Sequence, residues 1–323
     1  MNYNLDGILI VNKPQEMTSF DVIAILRRKL GIKRIGHLGT LDPMATGVLP
    51  VAIGKAARIL DYLDGDIKEY TSEFTFGINT DTDDIWGNII EERDTSKLSE
   101  SDIQIAIDSF RGIIDQKPPV YSALKVNGKK LYQYARSGED VEIKSRKIYI
   151  ESINLLSFDE IDGMKKAVLR IRCSKGTYIR SIARDLGIML NTACTMSGLI
   201  RNSSGDFSLA DSTDIEEIKE MSLEDLGKII KEMDFALKKF PRVRLGEWES
   251  KLFKSGVTLR EDQWIKETQD DYLEEYYAIE NIMKFPLNLP DYYHDLVRVY
   301  GEEFIGMGIV KTTGELKAHK VLI

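Results

Sequence analysis

The hydrophobic and polar positions of this 323-residue chain alternate between runs typical of strands and periods typical of helices. An unbroken apolar run at residues 7–11 predicts a buried strand. Residues 18–31 carry apolar side chains at helical spacing between a threonine cap and a glycine, which predicts a helix. Residues 68–78 alternate cleanly, with Tyr70 on the apolar face, and predict a strand covered on one side.

The middle of the chain carries further periodic segments. Ser99 begins a capping-box pattern and therefore predicts a helix. Residues 146–154 and 166–173 predict two strands, and Thr177 is a candidate cap for the helix that follows them. Residues 55–63 also have a helical pattern.

The pattern changes after Phe240-Pro241, where short β-like runs replace the longer elements. Just before that point, residues 211–236 alternate acids with apolar residues and predict two short helices. The length of the chain also favours one large domain and a smaller one. We therefore predict one domain over residues 1–238 and a small β-rich domain over residues 239–323.

The charge of the chain is unevenly distributed. Its 44 Lys/Arg and 52 Asp/Glu give a net charge of −8, which argues mildly against a nucleic-acid partner. Residues 1–60, however, have an excess of four positive charges, whereas residues 241–323 have an excess of four negative charges. Overall charge governs solubility and steering rather than what a local groove binds. The charge distribution therefore still allows the N-terminal segment to bind an anionic ligand.

Several classes of protein find no support in the composition. The two cysteines, Cys173 and Cys194, do not suggest a disulfide framework. The three histidines, His37, His294 and His319, are far apart, so no metal cluster is visible. No apolar run reaches the roughly 18 residues that a membrane helix needs, and the start lacks the regions of a signal peptide. We expect a cytoplasmic chain that binds no membrane and no metal.

One carboxylate, Asp42, lies in residues 36–50, a stretch that is otherwise free of formal charge. Three glycines there permit backbone geometries that a Cβ would block. Pro43 fixes φ after the acid and pushes Asp42 towards an extended conformation. A rigid loop of this kind can present a single carboxylate to a ligand. The same residues suit an ordinary Asx-type turn, and local physics leaves both interpretations open.

Arg180 falls in the first turn of the helix predicted after Thr177. A cation is unfavourable there relative to the helix dipole, so it needs an anionic partner. A buried Asp–Arg pair would be strongly hydrogen-bonded and would hold the carboxylate ionised. Asp42 is the candidate partner, although no feature of the sequence alone pairs the two residues.

Other side chains allow both a functional and an ordinary interpretation. Lys13 follows the first strand and Tyr70 begins another, but burial habits favour a surface lysine and a core tyrosine. Residues 116–125 form a stiff loop with two prolines that contains Tyr121 and ends at Lys125. Basic residues interleaved with tyrosines follow at positions 129–136; such a segment can grip RNA, and it is also common on ordinary helices.

Six groups of residues together resemble the TruB-type tRNA pseudouridine synthases, in the family's order, over residues 5 to about 210. They are Asn12-Lys13-Pro14 with Thr18-Ser19; Gly36-His37-x-Gly39-Thr40-Leu41-Asp42-Pro43-x-Ala45-x-Gly47-Val48-Leu49-Pro50; Lys68-x-Tyr70; Pro119-x-Tyr121-Ser122-Ala123-x-Lys125; Gly176-Thr177-Tyr178-Ile179-Arg180 with Asp185-Leu186-Gly187; and Leu199 to Phe207 with its Leu-x-Arg…Gly-x-Phe pattern.

The resemblance implies an α+β pseudouridine synthase fold. Its central sheet is mixed, mainly antiparallel and flanked by helices, and a PUA-like β-rich domain follows at the C-terminal end. The implied activity is the isomerisation of uridine 55 in the T-arm of tRNA to pseudouridine, without a cofactor or a metal. The target base would have to be flipped out of the stacked loop. We expect tRNA as the partner and a monomer as the active form.

The resemblance also implies a role for particular residues. Asp42 is similar to the family's essential carboxylate, Arg180 to its ion-pair partner, and Tyr70 to the ring that stacks on the flipped uracil and relays a proton at C5. The remaining residues would bind RNA or form walls of the pocket: His37, which would fill the gap left by the uridine, together with Tyr178, Leu199, Tyr121 and Lys125. Lys13 would support the local backbone or contact RNA.

The chain departs from the family pattern at a few positions. Glu16 stands where the family often has glycine, so that turn is expected to differ. Ile200 and Asn202 replace residues that are often basic or small, which would weaken an RNA contact. The charge of −4 on the C-terminal segment makes strong phosphate contact there doubtful.

Two other classes of protein compete with this interpretation. A non-catalytic RNA-binding or tRNA-chaperone protein on the same fold would need no buried acid, which argues against it. A glycosidase would need a second acid as proton donor. No second acid stands in a motif comparable to that of Asp42.

Overall fold

The computed structural model describes residues 5–63, 67–267, 292 and 295–323. Its strands are β1 (Gly7–Lys13), β2 (Ile35–His37), β3 (Thr46–Ile53), β4 (Lys68–Phe76), β5 (Ile78–Thr80), β6 (Ile89–Glu92), β7 (Gly112–Gln116), β8 (Lys125–Val126), β9 (Lys129–Lys130), β10 (Arg146–Ile161), β11 (Met164–Cys173), β12 (Cys194–Ser204), β13 (Phe207–Ser208), β14 (Thr213–Asp214), β15 (Arg242–Arg244), β16 (Ile265–Lys266), β17 (Leu296–Tyr300), β18 (Phe304–Val310) and β19 (Leu316–Val321). Its α-helices are α1 (Ser19–Leu30), α2 (Glu100–Asp108), α3 (Leu131–Ser137), α4 (Ile179–Met189), α5 (Ile215–Glu220), α6 (Leu223–Ile229) and α7 (Glu247–Lys254).

A ten-stranded sheet forms the centre of the chain. Eight strands follow the order β14-β1-β3-β12-β4-β11-β10-β7, while β2 pairs with β3 and β13 with β12. Two pairs are parallel, β1 with β14 and β3 with β12. The other neighbours are antiparallel. The prediction of a mixed, mainly antiparallel sheet is therefore confirmed.

Local signals place several helix ends where the sequence predicts them. The Thr18 side chain accepts a hydrogen bond from the Asp21 N–H, the Asp21 carboxylate accepts the Thr18 N–H, and Gly31 ends α1 at φ 68°. Ser99 and Asp102 cap α2 in the same way. The prediction is wrong for residues 55–63, where two 3₁₀ turns replace an α-helix.

The main core lies between the sheet and the helices that pack on it. It joins Val22 of α1, Phe74 of β4, Ile103 of α2 and Ile182 of α4, all fully buried. Burial of each such side chain contributes roughly 1.5–3 kcal/mol. The alternation predicted for β4 is confirmed, since Tyr70, Ser72, Phe74 and Phe76 share the buried face.

A second sheet, with the order β16-β15-β17-β18-β19, forms the C-terminal β-rich part of the chain. An apolar cluster joins it to the central sheet, for it contains Ile8 and Val48 together with Phe240, Leu296 and Met307. The division of the chain into domains at residue 238 stays a prediction. His294 lies outside the described residues. Among the described helices, none is long and apolar enough to span a membrane.

The turn that departs from the family pattern has a positive φ. Glu16 adopts φ 65°, a left-handed conformation that glycine accepts at lower cost than glutamate. Its N–H donates to the carbonyl of Pro43 at 2.9 Å, so the turn contacts the loop that carries Asp42. The turn therefore differs from the family pattern in that Glu16 holds a strained backbone conformation.

Candidate active site

The loop between β2 and β3 presents Asp42 and is fixed by its neighbours. The Ser19 hydroxyl accepts the Leu41 N–H at 2.9 Å and donates to the Leu41 carbonyl at 3.2 Å. The N–H of Ala45 donates to the Asp42 carbonyl at 3.0 Å. The Asp42 side chain is 38% exposed to solvent, whereas Leu41 is buried. The backbone is thus held while the carboxylate stays accessible.

Arg180 pairs with this carboxylate, as the helix-dipole argument suggested. Its Nη2 lies 2.9 Å from Oδ2 of Asp42, and the arginine side chain is 7% exposed. Arg180 is the second residue of α4, whose N-cap is Tyr178 rather than the predicted Thr177. The Gln116 side chain accepts the Tyr178 N–H at 2.8 Å and donates to its carbonyl at 3.0 Å. This pair of bonds fixes the helix start that carries Arg180.

Arg180 has a second acid that sequence reasoning missed. Its Nη1 lies 3.5 Å from Oδ2 of Asp84 and donates to the carbonyl of Thr82 at 3.0 Å. Its Nη2 also donates to the carbonyl of Tyr121 at 3.1 Å. Burial raises the pKa of Asp84, while the Thr82 hydroxyl and Arg180 oppose that rise. The acidic turn at residues 81–84, which contains Asp84, therefore anchors the Arg180 guanidinium.

Tyr70 and Arg201 face each other across β4 and β12. Tyr70 is 8% exposed, and burial raises the pKa of its phenol to about 12 against the opposing effect of Arg201. Arg201 is 1% exposed, and burial lowers the pKa of its guanidinium. The sequence pattern contains Arg201 in its Leu-x-Arg element but gives no sign that the residue is buried.

A cavity of about 470 Å³ opens beside the Asp42–Arg180 pair. Of the predicted site residues, Asp42, Tyr70, Arg180, Tyr178, Leu199 and Tyr121 line it. Five cationic side chains also line it, against the single carboxylate of Asp42: Lys68, Arg146, Lys175, Arg180 and Arg201. Such a cavity favours an anionic, partly aromatic ligand.

Three predicted residues do not line this cavity. Lys125 is exposed in the β8–β9 hairpin. His37 is partly buried against the ring of Phe20, with centroids 5.5 Å apart, and burial lowers its pKa. Lys13 is fully buried, and its ammonium donates to the carbonyls of Pro14 at 2.8 Å and Met17 at 2.7 Å. The alternative of a surface lysine is therefore wrong.

A second groove, of about 610 Å³, lies beside Phe235 and contains none of the predicted site residues. Its three lysines are balanced by three acids, so it shows no comparable preference for charge. Among the described residues, no group of three His, Cys, Asp or Glu side chains is arranged to hold a metal ion.

A carboxylate paired with an arginine, in a cationic cavity on a mixed sheet, agrees with the family that the sequence resembles. The family model described as TruB family pseudouridylate synthase (N terminal domain) matches residues 27–179. A curated relative named tRNA pseudouridine synthase B, from Clostridium tetani, is 37% identical over 320 residues, which cover 99% of this chain and 100% of the relative. Another relative of that name, from Carboxydothermus hydrogenoformans, is 49% identical over 214 residues, which cover 66% of this chain and 74% of the relative.

Solved structures show the same fold. A chain of an H/ACA RNP bound to a substrate RNA containing 2′-deoxyuridine matches with a TM-score of 0.70 and 20% identity, over 99% of this chain and 86% of that one. A chain of a Cbf5-Nop10-Gar1 complex matches equally well, at 22% identity with the same shares covered. The class is that of the pseudouridine synthases. The chain belongs to the TruB family and is an enzyme of that class.

Proposed function

We propose that the chain converts uridine 55 in the T-arm of tRNA to pseudouridine, with Asp42 as the essential carboxylate. The relatives named tRNA pseudouridine synthase B support this substrate. The observation that carries the proposal is the 2.9 Å ion pair between Asp42 and Arg180 at the edge of a cationic cavity. A cavity of about 470 Å³ lies in the size range of small-ligand sites and suits one extruded nucleotide.

Asp42 acts on the flipped nucleotide in its ionised form. Three routes use it: attack on C6 of the base, attack on C1′, or removal of a 2′ proton to form a glycal. All three need an accessible carboxylate close to the nucleotide, and the 38% exposure of Asp42 supports that role. The Arg180 guanidinium complements its charge through a short, charged hydrogen bond. Arg180 is itself oriented by Asp84 and by two carbonyls.

The aromatic and apolar walls hold the base. Tyr70 stacks on the uracil and accepts a proton from C5 once the base has rejoined the ribose. Tyr178 and Leu199 form further walls of the same cavity. The Arg146 guanidinium lies 4.7 Å from the centre of the Tyr178 ring and holds it by a cation–π contact.

The remaining residues act on the RNA outside the cavity or support the loops. His37 fills the space that the uridine leaves in the T-loop, Tyr121 lies at the cavity wall, and Lys125 contacts phosphate from its exposed hairpin. Lys13 supports the Asp42 loop, because its ammonium also lies 3.4 Å from the Pro43 carbonyl. We further propose a cytoplasmic monomer that uses no cofactor. Its PUA-like domain, residues 239–323, lies against the tRNA elbow or acceptor side.

The experiment is a tritium-release assay on a T-arm stem-loop that contains 5-tritiated uridine. Migration of the glycosidic bond to C5 displaces the tritium, so the wild-type chain should release it and the isosteric Asp42→Asn variant should not. Binding of the same stem-loop is measured in parallel. If the wild-type chain binds the stem-loop but releases no tritium, the non-catalytic RNA-binding alternative is correct.

A further inference from the structure

Arg201 is a buried guanidinium that has no acidic partner among the residues that the structure describes. It is 1% exposed, and only Tyr70 opposes the effect of burial on its pKa. Its Nε donates to the carbonyl of Val48 at 2.7 Å, and Nη2 donates to that of Gly39 at 3.0 Å. A buried cation is costly unless its charge is used or compensated. Its environment therefore indicates a role beyond packing.

The guanidinium ties together the two ends of the loop that carries Asp42. Gly39 lies three residues before the acid, and Val48 lies at the start of the strand that follows it. Two glycines with positive φ allow Arg201 to lie close to this loop. A Cβ on Gly47 would lie 2.3 Å from the main-chain carbonyl oxygen of Arg201, and a Cβ on Gly39 would lie 3.0 Å from Nη1 of its side chain.

The same side chain reaches Tyr70 from the neighbouring strand. Arg201 and Tyr70 are direct cross-strand partners between β12 and β4, and both line the cavity. The positive charge of Arg201 lowers the pKa of Tyr70 against the larger, opposing effect of burial. A guanidinium has only N–H donors, so Arg201 can stabilise the phenol oxygen but cannot accept the phenol proton.

We propose that Arg201 is a positioning residue of the isomerisation, whose guanidinium fixes the Tyr70 hydroxyl relative to the Asp42 loop and stabilises negative charge on the Tyr70 oxygen. This inference rests on the function proposed above, in which Tyr70 accepts the proton from C5. In that step the ionised Tyr70 oxygen takes the proton, and the electron pair of the broken C5–H bond restores the C5–C6 double bond. The pair displaced at C6 moves onto N1, which takes a proton from solvent, or, on the C6-attack route, leaves with the Asp42 carboxylate. The phenol then releases the proton to solvent. A preorganised cation beside the oxygen favours the ionised form that starts the step.

The first test measures the acidity of Tyr70 without any RNA. Tyr70 is replaced by 2,3,5-trifluorotyrosine, whose more acidic phenol titrates where the chain is folded, and ¹⁹F NMR follows the titration. Arg201→Met should raise the pKa at position 70 by at least about one unit. Arg146→Met is the matched control, since Arg146 also lines the cavity but does not act on Tyr70. It should leave the titration unchanged.

An unchanged titration in Arg201→Met, or an equal rise in Arg146→Met, would overturn the inference. Circular dichroism reports whether Arg201→Met folds. If it does not, Arg201→Gln replaces it, because glutamine is neutral and can still donate to the Gly39 carbonyl. The same rise of about one unit is expected from it.

The second test is a double-mutant cycle on single-turnover tritium release. Arg201→Met should lower the rate about 100-fold in the wild-type chain and less than about threefold in a Tyr70→Phe chain, because the two residues act as one unit. Equal losses in both chains would show that Arg201 acts independently of Tyr70. A wild-type chain that releases no tritium would refute the proposed function instead, whereas the NMR titration would still report the coupling of Arg201 to Tyr70.

Discussion

The Nη2 atom of Arg180 lies 2.9 Å from Oδ2 of Asp42, although the two residues belong to distant parts of the chain. Asp42 is held on a loop between β2 and β3, and Arg180 lies in the first turn of α4. A guanidinium at a helix N-terminus is unfavourable by itself. The carboxylates of Asp42 and Asp84 offset that cost. The Asp42–Arg180 pair therefore depends on the relative positions of the β2–β3 loop and α4.

The first prediction concerns Asp84, which shares Arg180 with Asp42. Asp84→Asn should lower kcat about 10-fold, because the loss of this ion-pair partner of Arg180 costs roughly 1.4 kcal/mol. The KM for the stem-loop should change less, since Asp84 does not line the cavity. Asp83→Asn is the control: Asp83 pairs with Arg184 at 3.1 Å and should affect kcat far less. Equal losses in the two variants would assign the effect to the turn as a whole.

The second prediction concerns the stability that Lys13 contributes at alkaline pH. Burial lowers the pKa of Lys13 from 10.5 to about 8. Between those values the unfolded chain binds more protons at Lys13 than the folded chain does, so the contribution of Lys13 to the free energy of unfolding rises with pH. A Lys13→Met chain lacks this contribution.

Urea unfolding of both chains at pH 8 and pH 10 measures the effect, because other titrating groups cancel in the difference. The stability of the wild-type chain minus that of Lys13→Met should grow by on the order of 1–3 kcal/mol. A difference that stays constant would show that Lys13 titrates as an exposed lysine does, and a difference that shrinks would show that folding raises the pKa of Lys13.

The third prediction concerns Glu16, which adopts φ 65°. Glu16→Gly should stabilise the chain by roughly 0.5–1 kcal/mol, because relief of the left-handed strain outweighs the extra entropy that glycine has when unfolded. Glu16→Ala is the matched control, since alanine removes the charged side chain but keeps the strain. Thermal unfolding should show a gain for glycine alone. A gain for both variants would assign the effect to charge.

Part of this architecture could be predicted from local patterns. The capping boxes of α1 and α2 and the alternation in β4 are formed by residues close in sequence, so the sequence predicts them well. The position of Arg180 in the first turn of a predicted helix also indicated an acidic partner, and that partner is Asp42. The family resemblance added the order of the motifs and thus six of the residues that line the cavity.

The rest depends on which distant strands become neighbours. Strand β12 lies between β3 and β4, and only that order places Arg201 beside both Tyr70 and Gly47. The turn with Asp84 has the composition of a solvated surface turn, so nothing local indicates that it holds Arg180. Lys13 has the ordinary sequence context of a surface lysine, and its burial follows from the turn and loop that close over it.

The most direct test of the account is to identify the product in a complete tRNA transcript. After incubation with the chain, digestion and mass spectrometry of the nucleosides count the pseudouridines, and carbodiimide labelling followed by primer extension locates them. The account predicts one pseudouridine, at position 55 in the T-arm, with the wild-type chain, and none with Asp42→Asn. Pseudouridine at another position, or formation by Asp42→Asn at the wild-type rate, would contradict it.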